Sequence, residues 1–162
     1  MNFILYILIA FIAVILISLI IGLLLPKNRM AKRVVTFSSD IKPVWDVVTN
    51  NEDYEWRSDT SKIEILDSGD SWIEYNLNGS YINFNILNKK NHKEYDFHMH
   101  NKIFTGKFTS RFEKNSTGNT QVEFVESISI KNPLLKPISY LFFNIQKFQD
   151  IYIYDLKKKL NE

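Results

Sequence analysis

The stretch TQVEFVESISIKNPLLKPISYLFFNIQKFQDIYIYDL, residues 120–156, changes its hydrophobic period partway along. Val122, Phe124, Ile128 and Ile130 alternate with Gln121, Glu123, Ser127 and Ser129, the pattern of a strand with one buried and one wet face. Beyond Asn132-Pro133 the period becomes helical: Leu134, Ile138, Leu141, Ile145, Phe148, Tyr152 and Leu156 fall on one stripe that runs to the C-terminus. Proline suits the first position of that helix, and Pro137 either kinks it or marks its true start. Lys157, Lys158 and Lys159 sit where they favour the helix dipole.

Upstream of this stretch the strand period repeats. Tyr95, Phe97 and Met99 oppose Asp96, His98 and His100, and Phe108 and Phe112 oppose Lys107, Arg111 and Glu113. Strands are expected over 61–66, 71–77, 81–88, 94–101 and 105–113, separated by turn clusters. These are Asp67-Ser68-Gly69-Asp70, Asn78-Gly79 (a strong two-residue hairpin signal), Lys89-Lys90-Asn91, and 115–119. A first strand is expected over 32–37. Ser39-Asp40 then caps a short helix carrying Ile41, Val44, Trp45 and Val48 on one face, and 53–57 reads as a second short helical turn.

The N-terminal end is of another kind. Residues 3–25 contain no ionisable side chain except Tyr6. At about 1.5 Å per residue they reach roughly 34 Å, enough to cross a hydrocarbon core of about 30 Å. A cleaved signal is opposed by the length of the run, by the lack of Lys or Arg before it and by the lack of a small-x-small site after it. Lys27, Arg29, Lys32 and Arg33 all follow the run. Flanking positive charge stays on the cytoplasmic side, so the expected topology is single-pass, N-terminus outside, with the domain in the cytoplasm, at a bacterial plasma membrane. The expected organisation is an anchor over 1–26, a basic juxtamembrane linker over 27–31 and one domain over 32–162. Ser18 and Gly22 form a small-xxx-small pair able to pack helix on helix.

Composition narrows the function classes. The four basic residues beside the anchor carry +4 of a net +2, so the rest of the chain carries −2, and nucleic acid is not an expected partner. The absence of cysteine excludes disulfides, thiolate metal sites and a cysteine nucleophile. No phosphate-binding glycine loop or nucleophile elbow is present, and no cofactor is implied. The 12 Phe, 8 Tyr and 3 Trp carry much buried area each and suggest a well-filled core or an aromatic-lined pocket.

Six or seven antiparallel strands with one apolar face, and a single long helix to cover them, predict an α+β domain whose sheet curls around the helix. Where one helix cannot fill the curve, a cavity remains. The order strand, two short helices, strand meander and long C-terminal helix resembles the helix-grip fold of the START-like (SRPBCC) superfamily, which includes polyketide cyclase/dehydrase-like and lipid-transport proteins. The resemblance covers about residues 32–160. Its local carriers are Ser38-Ser39-Asp40-Ile41-Lys42-Pro43-Val44-Trp45-Asp46-Val47-Val48, Tyr54-Glu55-Trp56-Arg57 and Tyr154-Asp155-Leu156-Lys157. It implies a cavity for a lipid or another hydrophobic small molecule.

Candidate ligand-binding residues follow. Glu126 falls on the apolar face between Phe124 and Ile128. A carboxylate there needs a partner, with Arg57 a candidate, or carries a shifted pKa. Trp56 and Arg57 are expected at the cavity mouth, with Tyr75, Phe97, Phe108 and Phe124 as its walls. His98 and His100 share a face but lack a third metal ligand. Three readings result: a membrane-anchored binder of a hydrophobic small molecule or lipid without catalysis, a cyclase- or hydratase-type enzyme using Glu126, and a protein-interaction module with a filled interior.

Overall fold

The computed structural model describes residues 2–66 and 69–162. Asp67 and Ser68 of the expected β-turn lie outside the described residues. The elements are α1 (Asn2–Leu24), β1 (Asn28–Phe37), α2 (Ile41–Thr49), β2 (Thr60–Ile65), β3 (Ser71–Asn76), β4 (Tyr81–Lys90), β5 (Glu94–His100), β6 (Phe104–Lys114), β7 (Thr120–Ile130), α3 (Leu135–Phe142) and α4 (Ile145–Lys159). The strands form one antiparallel sheet in the order β1-β7-β6-β5-β4-β3-β2. This is the α+β helix-grip architecture, with α2 and α4 set against the sheet and α3 packed on α1.

The core follows from strand alternation. Val122, Phe124, Ile128 and Ile130 of β7 are buried, as are Phe108 and Phe112 of β6 and Tyr95 and Met99 of β5. Trp45 from α2 closes one end by meeting Phe112 edge-on at 5.1 Å. At Gly106 of β6 an added Cβ would lie 2.8 Å from the Ser127 carbonyl oxygen, so the tight β6–β7 contact requires glycine there.

Four expectations are corrected. β1 begins at Asn28, so residues 28–31 are sheet and not linker: they pair with β7 from Asn28↔Ser129 to Ala31↔Glu126, which satisfies their backbone groups. Residues 53–57 hold a turn closed by Arg57 N–H donating to the Tyr54 carbonyl (2.9 Å), with no helix. The Asn78-Gly79 connection is a longer loop, in which Gly79 N–H donates to the Asn76 carbonyl (2.9 Å) and Asn76 N–H to the Ser80 carbonyl (2.8 Å), with Gly79 at φ 80°. The C-terminal helical stripe is two helices. Arg29 donates to the carbonyls of Ser139 (2.9 Å) and Phe143 (2.7 Å), which ends α3, and the Asn144 side chain accepts from Lys147 N–H (3.0 Å), which starts α4.

α1 is apolar around its whole circumference and is long enough to cross a bilayer. Its C-terminal end is held by the domain. The buried Lys136 ammonium donates to the carbonyls of Gly22 (2.9 Å) and Leu25 (3.3 Å), and a methyl group on Gly22 would collide with the Pro133 carbonyl. The small residue at position 22 thus serves a contact within the chain.

Candidate functional site

Between the sheet and its helices lies a cavity of about 780 Å³. The interior is therefore not filled by side chains, which removes the ground for the filled-interior reading. Phe97, Phe108 and Phe124 line it from the inner faces of β5, β6 and β7, and Trp56 lines it from the turn after α2. Phe97 and Phe108 stack at 4.8 Å, and Tyr152 of α4 meets both Phe108 and Phe124 edge-on.

Tyr75 is not among the walls. β3 turns Trp72 and Glu74 inward, and Tyr75 lies on the outer face, where its hydroxyl donates to Glu64 (3.4 Å) and its ring meets Lys62. Glu74, although acidic, finds its partner inside.

That partner is Arg57. Its guanidinium donates both terminal nitrogens to Glu74 at 2.8 Å, and Trp72 Nε1 donates to the same carboxylate at 2.9 Å. Burial alone would lower the Arg57 pKa, but the Glu74 carboxylate outweighs it and the pKa rises, so Arg57 stays charged. Its Nε is buried without a partner.

Glu126 lies on β7, four strands away from Glu74 on β3 in the sheet order, and Arg57 does not reach it. Glu126 lines the cavity and makes no hydrogen bond or ion pair among the described residues. Desolvation pushes its pKa up from the ordinary 4.5 to about 7, so a large fraction is protonated near neutrality. Its cross-strand partners are Ala31 and Phe108. Gln149 of α4 donates its amide to the Ala31 carbonyl (3.4 Å), which sets Gln149 close to Glu126, with the Gln149 Oε1 buried and unpartnered. The cavity thus presents an aromatic body with a donor at Arg57 Nε, an acceptor at Gln149 Oε1 and a carboxyl able to do either at Glu126.

Sequence reasoning missed Glu74, Gln149 and Tyr152. The last two sit on the C-terminal helical stripe or beside it, but a helical period cannot tell which members face empty space. His98 and His100 stack on each other at 5.5 Å, and the nearby Asp96 is committed to Arg111.

No protein-family profile matches the chain, and no curated protein of similar sequence was found. Solved structures do match in fold. Norcoclaurine synthase from Thalictrum flavum superimposes with a TM-score of 0.65 at 9% identity, over 83% of this chain and 87% of that one. A START superfamily protein from Mycobacterium smegmatis gives 0.59 at 14% identity, over 81% and 93%. Ara h 8.0201 gives 0.61 at 15% identity, over 83% and 99%. The domain therefore has a START-like fold.

Proposed function

We propose that this chain is a membrane-tethered binding protein for a hydrophobic small molecule or lipid-derived ligand. The carrying observation is the aromatic cavity of about 780 Å³ with a few unpartnered polar groups inside it. The ligand it suits has an apolar body for the Phe97, Phe108 and Phe124 surface and one hydroxyl or carboxyl end for Glu126 and Gln149. The START-like neighbours support a ligand-binding module. α1 supports the tether, with the basic residues after it on the cytoplasmic side. A tether holds the cavity near a membrane-derived ligand and raises its effective concentration.

The test uses a chain beginning at Pro26, which keeps all of β1. It is expected to take up a polarity-sensitive fluorescent fatty acid saturably, and native mass spectrometry of freshly purified protein should show a non-covalent apolar adduct. An empty protein that no probe saturates would sink the proposal.

A second reading is favoured by Glu126 specifically. An unpartnered carboxyl with a pKa near 7 in an aromatic-lined cavity is suited to general acid or base work, as in a cyclase- or hydratase-type enzyme. Norcoclaurine synthase, an enzyme, shares the fold. Turnover of any ligand found by mass spectrometry, abolished by Glu126→Gln with the fold intact, would favour this reading over simple binding.

A further inference from the structure

We infer that the cavity opens directly into the bilayer, with α3 and the tips of two hairpins seated among anionic lipid headgroups. This rests on the tethered-binder reading above and adds which end of the domain meets the lipid.

The sheet's register determines that end. The start of β1 pairs with the end of β7 (Asn28↔Ser129), and the end of β7 with the start of β6 (Phe104↔Ile130). The start of β6 pairs with the end of β5 (His100↔Thr105), that with the start of β4 (Asn83↔His100), and the start of β4 with the end of β3 (Tyr75↔Tyr81). The loops 77–80 and 101–103 and the chain leading into α3 therefore lie at the end of the sheet where α1 delivers the chain.

α3 is clamped at that level from both sides. Lys136, near its N-terminal end, binds the last free carbonyls of α1, and Arg29, just past α1, binds the last carbonyls of α3 and stacks on Tyr140 at 4.3 Å. A helix hydrogen-bonded to residues 22 and 25 of a membrane span sits where that span leaves the hydrocarbon.

The surface at this end suits such a position. Leu77 is 73% exposed, Ile103 54%, Leu141 78% and Phe142 83%. Leu77, Ile103 and Phe142 also line the cavity, so its mouth lies among them. Exposed Lys27, Lys102 and Lys131 belong to the same chain segments, and residues 25–28, 76–81, 100–104 and 130–145 contain no Asp or Glu. Apolar tips ringed by lysine are the pattern of a protein face dipped into an anionic interface. At the other end, turns 91–93 and 115–119 contain no apolar side chain, and the β2–β3 turn carries Leu66, 40% exposed.

The chain has no cysteine, so single cysteines can report depth. Full-length protein carrying Leu77→Cys, Leu141→Cys, Ser116→Cys or Leu16→Cys, each labelled with an environment-sensitive NBD dye, is placed in phosphatidylcholine–phosphatidylglycerol vesicles with or without spin-labelled lipid. The labels at 77 and 141 are expected to shift to the blue and lose most of their emission to a shallow quencher, that at 16 to a deep one, and that at 116 to neither. If 16 is quenched while 77 and 141 report water, the tether stands and this inference falls. If 77 and 141 are blue-shifted but beyond reach of the lipid quencher, a protein covers the mouth and the inference also falls. If 16 itself reports water, the tether falls and the inference with it.

Discussion

Glu126→Gln is expected to make the protein more stable at alkaline pH and to remove a pH dependence that the wild type carries. The folded chain holds the Glu126 proton more tightly than the unfolded chain does, because burial disfavours the carboxylate. The stabilisation from that tighter proton is fully present below the ordinary value of 4.5 and is lost as pH rises through about 7. At about 1.4 kcal/mol per unit, the interval from 4.5 to about 7 amounts to about 3 kcal/mol. Glu126 is only half-buried, so solvent screens the carboxylate in part and about 1.5–3 kcal/mol is the range expected. The assay is urea unfolding of the chain beginning at Pro26, wild type and variant, across about pH 4 to 8. Every other titrating group is common to both proteins and cancels in the difference. An apolar ligand that displaces cavity water should sharpen the effect, so wild-type affinity should fall above about pH 7 while the variant's does not. Parallel stability curves would refute the reasoning, since they would mean that the carboxyl is already paired or fully hydrated.

Two further substitutions probe the frame of the cavity. Glu74→Leu strands the buried Arg57 charge and the Trp72 indole N–H. It should cost about 3–5 kcal/mol in urea unfolding, most of it recovered in the double variant Arg57→Met/Glu74→Leu; equal losses in single and double variants would show that the pair is not coupled. Gly106→Ala places a methyl group against the Ser127 carbonyl oxygen and the Met99 side chain, and should cost about 1–3 kcal/mol; an unchanged urea midpoint would show that β6 and β7 can separate freely.

Arg57 and Glu126 occupy different parts of the cavity wall. The Arg57 guanidinium binds Glu74 through both terminal nitrogens, with Asp59 at 3.7 Å as a further partner, and the Trp72 indole donates to the same Glu74 carboxylate. Glu126 stands beside Ala31, whose carbonyl accepts from the Gln149 amide. This asymmetry gives the cavity one fixed charge pair and one switchable carboxyl.

Much of this molecule was legible from local patterns. Period-2 alternation in 94–130 placed Phe97, Phe108, Phe124 and Glu126 on the inner face, since a strand can bury only one of its faces against a helix. The continuous apolar run at the N-terminus set the length of α1, and the change of period after Ile130 located the helical end of the chain. Asn144 was a readable capping signal, but the stripe Leu141, Ile145, Phe148 keeps helical spacing straight through the break and hid it. What only the tertiary structure decided were choices made between distant segments. Arg57 went to Glu74 and not to Glu126, Arg29 ended α3 from β1, and Lys136 reached back to α1. Local spacing records which side chains share a face, because backbone geometry repeats every two or 3.6 residues. It holds no record of which of two carboxylates a buried cation will reach, because that depends on how far apart the folded sheet leaves them.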